Sequence, residues 1–287
     1  MLLPEHENKV LAEGGLLRTR NVDGPPWRRY VAVGDSFTAG FGDPDPRSPK
    51  EFRGWAGWVA GELSRSSTDF AYANLAVPGL RLRQVASEQV PAAVALAPDL
   101  VTFQAGGNDL ILPGADPDQL ATLVDAALAS LTATGATVAI FVGPDSGSGT
   151  VLGRVRAKIA VYNENVRSAA AHHNAVVVDL WSLERLKDRQ MWGPDRLHLS
   201  PPGHLAVAAL VLDTLGVPHG LEPADEVEAP DPSWREARIQ DLAWTRDYFI
   251  PWLLRGLARQ PTRWKPLAQP PVQRRDPLHH DRPRKAA

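Results

Sequence analysis

The residues best equipped for chemistry in this chain sit where short apolar runs stop. The run YVAV at residues 30–33 breaks directly into Gly34-Asp35-Ser36. A β-branched run that meets glycine and then a hydroxyl residue reads as a buried strand ending in a sharp turn, which lifts Ser36 to the C-terminal edge of a sheet. A serine there can be a nucleophile, although a serine at a strand end is more often a helix cap. Serine Oγ attacks a carbonyl at neutral pH only when a base within hydrogen-bond reach takes its proton. Of the eight histidines, His198 in Asp195-Arg196-Leu197-His198 is the best placed for that task. Asp195, three residues earlier, can accept from Nδ1–H and leave Nε2 facing Ser36.

Two further apolar runs end on residues of interest. Residues 70–77 close on Pro78-Gly79, and a glycine lets a ligand approach its N–H closely. Residues 100–105 end in Gly106-Gly107-Asn108-Asp109. Taken singly, Gly79 reads as well as a turn glycine, Asn108 as a cap, and Asp195 with His198 as a surface ion pair. Together, in this order and at strand ends, the four blocks resemble the SGNH or GDSL hydrolase family, named for Ser, Gly, Asn and His.

The resemblance covers roughly residues 29–216. It implies a flavodoxin-like three-layer α/β/α sandwich whose five-stranded parallel sheet has the order 2-1-3-4-5. It also implies a triad of Ser36, Asp195 and His198. The oxyanion hole would be built from the backbone N–H groups of Ser36 and Gly79 and the side-chain amide of Asn108. The implied reaction is cleavage of a carboxylic ester through an acyl-Ser36 intermediate, with no cofactor, on a small-molecule, lipid or carbohydrate ester. An O-acyltransferase or a thioesterase would use the same residues. A non-catalytic flavodoxin-like binding module would need no contact between Ser36 and His198.

Other polar residues have plainer readings. Asp35 suits a backbone hydrogen bond in the strand-to-helix turn better than the role of triad acid. Asp109 suits a brace or cap of its loop, and His172-His173 lie at a helix end, where the dipole favours positive charge. The chain has no cysteine, and its histidines match no recognisable ligand spacing, so no metal site is implied. Gly147-Ser148-Gly149 lacks the GK[ST] ending of a phosphate loop and reads as a mobile loop beside the cleft.

The elements that must position these groups alternate. Apolar runs at 30–33, 70–77, 100–105, 136–142 and 175–180 are separated by helical patterns at 53–64, 82–96, 117–132, 153–172 and 203–215. Repeated βα units predict a parallel sheet covered on both faces, with ligands outside the carboxyl ends of the strands. Ser36, Gly79 and Asn108 all fall there.

At 287 residues, 44% of them hydrophobic and with a net charge of -2, the chain reads as one ordinary globular domain with extensions. The charge points to no nucleic-acid partner. No apolar run approaches the ~20 residues needed to cross a bilayer, and Met1-Leu2-Leu3 runs at once into Pro4 and Glu5 without a signal-peptide h-region. These features read as a cytoplasmic protein. The organisation expected is an N-terminal extension at 1–28, the hydrolase domain at 29–220, an acidic linker at 221–232, a helical extension at 233–258 and a basic, Pro-rich, disordered tail at 259–287. Ser233 and Glu236 form a capping-box pattern, and Trp234, Trp244 and Trp252 recur at near-helical spacing, so that helix is expected to dock on the body.

Overall fold

The structure is a computed structural model and describes residues 25–46, 48–145, 147, 153, 155–223 and 246. The expected helix at 233–258, the tail at 259–287, most of the linker and N-terminal extension, and Ser148-Gly149 lie outside the described residues, Arg246 excepted.

The first strand, β1 (Arg29–Gly34), sets the layering. Side chains alternate across a strand, so Val31 and Val33 enter one apolar layer while Tyr30 and Ala32 enter the other. Both faces are buried, which is why the run carries no polar alternation. After β1 come α1 (Ser36–Ala39), a hairpin of β2 (Pro44–Asp45) and β3 (Ser48–Phe52), α2 (Gly54–Ser64) and β4 (Ala71–Asn74). Next are α3 (Leu82–Gln84), a π-helical turn at Val85–Gln89, α4 (Val90–Ala95), β5 (Leu100–Gln104), α5 (Gly107–Leu110) and α6 (Pro117–Thr132). The remainder is β6 (Thr137–Val142), α7 (Arg156–His172), β7 (Val176–Asp179), two short 3-10 turns at Glu184–Lys187 and Arg189–Met191, and α8 (Pro201–Thr214).

The sheet order is β4-β1-β5-β6-β7, and every neighbouring pair is parallel. This is the flavodoxin-like arrangement expected from the sequence. One layer packs Leu82, Val90, Leu128 and Val166 from α3, α4, α6 and α7 onto Val31, Val33 and Phe103. The other packs Trp55, Val59, Val207 and Leu212 from α2 and α8 onto Tyr30, Ala32 and Phe141. The chain leaves β1 first toward β4 and then returns past it to β5, so the loops after these strands diverge and open a crevice above the end of β1.

Three local features depart from the sequence reading. The expected helix at 82–96 is broken by the π-helical turn, because Pro91 has no N–H to give and its ring crowds the carbonyl of the preceding turn. The run at 70–77 is regular strand only to Asn74, whose side chain bonds Thr38 O and Ala76 N–H and turns the chain. Leu75 and Val77 still donate to Ala32 O and Gly34 O, so the loop stays laced to β1. The β2–β3 hairpin, rich in Pro and charge, has no apolar alternation to announce it. Among the described residues no helix is long and apolar enough to cross a membrane.

Candidate active site

The turn after β1 is fixed from two sides. A Cβ on Gly34 would collide with Thr38 Oγ1 and stand 2.5 Å from Gln104 O, so no side chain fits. Gln89, fully buried in the π-helical turn, accepts from Gly34 N–H at 2.8 Å and donates to Gly34 O at 2.9 Å. Asp35 caps α1 by accepting from Phe37 N–H at 3.0 Å. Ser36 is thereby the first residue of α1, at the crevice and nearly buried.

His198 reaches Ser36 across 162 residues of sequence. Its Nε2 lies 2.9 Å from Ser36 Oγ, and its Nδ1 lies 2.6 Å from Asp195 Oδ2. A carboxylate can only accept, so Nδ1 carries the proton and Nε2 is free to accept from the serine hydroxyl. Asp195 is itself held by its own turn, with Oδ1 accepting from Leu197 N–H at 3.1 Å and His198 N–H at 3.0 Å. Burial pushes the Asp195 carboxyl up. The bonds from the His198 ring and backbone outweigh that and hold it below the usual carboxylate range.

The crevice side is completed by the loops after β4 and β5. Gly79 is exposed, with φ +80, a conformation open to glycine. Among the described residues neither the Ser36 nor the Gly79 N–H has an acceptor. Asn108 is differently placed: its side-chain amide donates to Asp35 Oδ2 at 3.1 Å and to Leu80 O at 3.0 Å, so both hydrogens are engaged. Both partners are acceptors, which fixes the orientation of the amide. Burial raises the Asp35 carboxyl to about 6, against the opposing pull of the Phe37 N–H. Asp109 braces the neighbouring loop by accepting from Leu82 N–H at 2.9 Å.

Ser36, Asp195 and His198 are thus brought into one hydrogen-bonded chain, and Asp35 bonds backbone and Asn108 rather than His198. His172 ends α7, and His173, just beyond it, pairs with Asp125 at 2.8 Å and with none of these groups. Among the described residues no group of three His, Cys, Asp or Glu is arranged to hold a metal ion. Sequence reasoning missed Gln89, His204 and Phe41. Gln89 carries no signal, since an interior glutamine in a helical stretch reads as a solvent-facing residue. His204 is fully buried: its Nδ1 accepts from Trp55 N–H at 3.1 Å and its Nε2–H donates to Phe41 O at 3.2 Å. Its position one turn into an apolar helix was the available cue.

Residues 32–206 match the GDSL-like Lipase/Acylhydrolase family. No curated protein matches the chain. Among solved structures, the chain is similar to Axe2, an acetylxylan esterase from Geobacillus stearothermophilus, with 20% identity and a TM-score of 0.56 over 68% of this chain and 97% of that one. It is also similar to LAE5, an alpha/beta hydrolase enzyme from the metagenome of Lake Arreo, Spain, with 20% identity and a TM-score of 0.56 over 67% and 96%. TesA gives 23% identity and a TM-score of 0.55 over 65% and 97%. These likenesses establish the fold.

The buried groups beside the site titrate against each other. Burial lowers the His204 imidazole to about 4, so its contribution to stability is present above the ordinary histidine value and is lost as pH falls through 6.5 toward 4. Asp35, raised to about 6, works oppositely, costing stability at neutral pH and regaining it as pH falls below 6. Each change amounts to roughly 2 kcal/mol between pH 7 and 4.5. Denaturant melts of the native protein should therefore differ little between these two pH values. His204→Gln should be more stable at the acid pH and Asp35→Asn less stable there; curves that run parallel to the native one would refute the assignment.

Proposed function

Because the chain belongs to the GDSL-like lipase/acylhydrolase family, we propose that it hydrolyses a carboxylic ester by transferring the acyl group to Ser36 and then to water. The observation that carries this reading is the unbroken hydrogen-bond chain from Ser36 Oγ through His198 to Asp195 Oδ2. We assign the catalytic unit to residues 29–220, which contain the sheet, α8 and all of these groups.

As Ser36 Oγ attacks the ester carbonyl carbon, His198 Nε2 takes the hydroxyl proton, and Asp195 stabilises the imidazolium that forms. The carbonyl π electrons move onto oxygen. The resulting oxyanion takes hydrogen bonds from Ser36 N–H and Gly79 N–H, which have no acceptor among the described residues. Asn108 joins them by sharing the N–H it gives Leu80 O, while its bond to Asp35 fixes the amide orientation. Collapse expels the alcohol, which collects the proton from Nε2–H. Water then loses a proton to Nε2, attacks the acyl carbon, and the reverse transfer returns the proton to Ser36 as the carboxylic acid leaves.

A fluorophosphonate probe tests the nucleophile directly. It should label Ser36 alone, and Ser36→Ala should abolish both labelling and turnover while leaving the thermal melt in place. An adduct on Ser146 or Ser200, or none on folded and active protein, would refute the assignment. Asn108 is tested by kinetics: Asn108→Ala should lower kcat by roughly 10²- to 10³-fold with a smaller change in KM, since the bond strengthens only as charge develops on the carbonyl oxygen. An unchanged kcat would make Asn108 a structural brace.

A further inference from the structure

Beside His198 the protein leaves two large aromatic side chains in the open, and they touch. The Phe41 ring lies 4.6 Å from the His198 ring and 5.0 Å from the Phe52 ring, centroid to centroid. Phe41 is 40% exposed and Phe52 41%, and among the described residues no other aromatic side chain is so exposed. The remaining exposed large hydrophobics, Val94, Leu96 and Val161, belong to α4, its end and α7. Exposed aromatic side chains that touch each other at the rim of a crevice, rather than standing singly, offer a ready contact surface for a ligand.

The backbones that carry the two rings are tied down. Phe41 N–H donates to Ser36 O at 3.1 Å, and Phe41 O accepts from His204. Phe52 pairs with Pro44 across the β2–β3 hairpin. The next residue, Arg53, bonds Asp43 through backbone and guanidinium and lies 3.6 Å over the Trp58 ring, which anchors the hairpin to α2. The backbone that carries the wall is therefore preformed, and binding to it requires little main-chain ordering.

Its position relative to the reaction follows from proton transfer. In the mechanism proposed above, on which this step rests, His198 hands its proton to the leaving alcohol, so the alcohol departs beside Nε2. A wall that starts on the His198 ring borders the alcohol rather than the acyl chain. We propose that Phe41 and Phe52 form the subsite for the alcohol half of the ester, and that the preferred leaving alcohol presents a flat apolar face. An aryl ring and the face of a pyranose both offer that chemistry.

Comparison of Phe52→Ala, Phe52→Leu and Phe52→Tyr with the native protein tests this. Phe52→Leu guards against loss of folding, because it keeps the apolar bulk without the flat face. The kcat/KM ratio of phenyl acetate to ethyl acetate, or of an acetylated methyl xyloside to ethyl acetate, should fall about fivefold in the Ala and Leu variants, the size of one aromatic contact, and recover in Phe52→Tyr. Which ratio falls identifies the aryl or the sugar source. The ratio of phenyl butyrate to phenyl acetate should hold. Neither alcohol ratio falling, or the butyrate ratio moving instead, would overturn the proposal. Ligand-observed NMR of phenol and methyl xyloside on Ser36→Ala protein reads the subsite without turnover: saturation transfer to one of them should be present and should weaken when Phe52→Ala is added. Absence of transfer to both, while Ser36 of the native protein takes the phosphonate, would overturn the subsite and leave the esterase reading standing; failure of labelling in the native protein with transfer to Ser36→Ala intact would do the reverse.

Discussion

The site depends on the fit at Gly34. The end of β1 can pass between Thr38 and the backbone of Gln104 only because residue 34 has no side chain. Gln89 then closes on the peptide groups of that glycine with both ends of its amide. Removing the amide would orphan a buried N–H and weaken the satisfaction of a buried carbonyl, at about 1–3 kcal/mol for an unsatisfied group. The π-helical turn that carries Gln89 is itself a departure from regular helix. Such turns recur at functional sites because they rotate a side chain out of register. Here the turn sets Gln89 against both peptide groups of Gly34, two residues before Ser36 begins α1.

The two carboxylates that flank the serine are shifted in opposite directions. Asp195 is kept ionised by three donors from its own turn and from His198, which fixes the imidazole tautomer. Asp35 is buried more deeply and is raised instead, yet it holds the Asn108 amide and the first turn of α1. In the proposed mechanism the two carboxylates thus divide orientation of the base from orientation of the oxyanion donor. His204, neutral and buried, connects the α1–β2 loop to α2 through Phe41 O and Trp55 N–H, and so links the aromatic wall to the same scaffold.

Much of this was legible in the sequence, for definable reasons. The β1 run, the β5 run and the helix at 117–132 follow from local pattern, and Pro117 behind the Asp116 cap marks where that helix starts. The pairing of Asp195 with His198 is also local, a spacing of three on one turn. The contact of His198 with Ser36 is not local, and only the resemblance to a family brought the two together before the sheet did. Gln89, the engagement of both Asn108 hydrogens and the β2–β3 hairpin escaped because each depends on neighbours distant in sequence or on a strand pair without apolar alternation. Phe41 and Phe52 escaped because single exposed aromatics mean little until the contacts of Phe41 with His198 and of Phe52 with Phe41 are known.

The central claim is that the acyl group passes through Ser36. Acid-quenched samples taken during turnover of a slow ester, digested and mapped by mass spectrometry, measure this most directly. The account predicts an acyl mass increment on the peptide containing Ser36, present while substrate remains and gone when it is exhausted. Product formation with that peptide unmodified throughout, or with the acyl group on another residue, would contradict it.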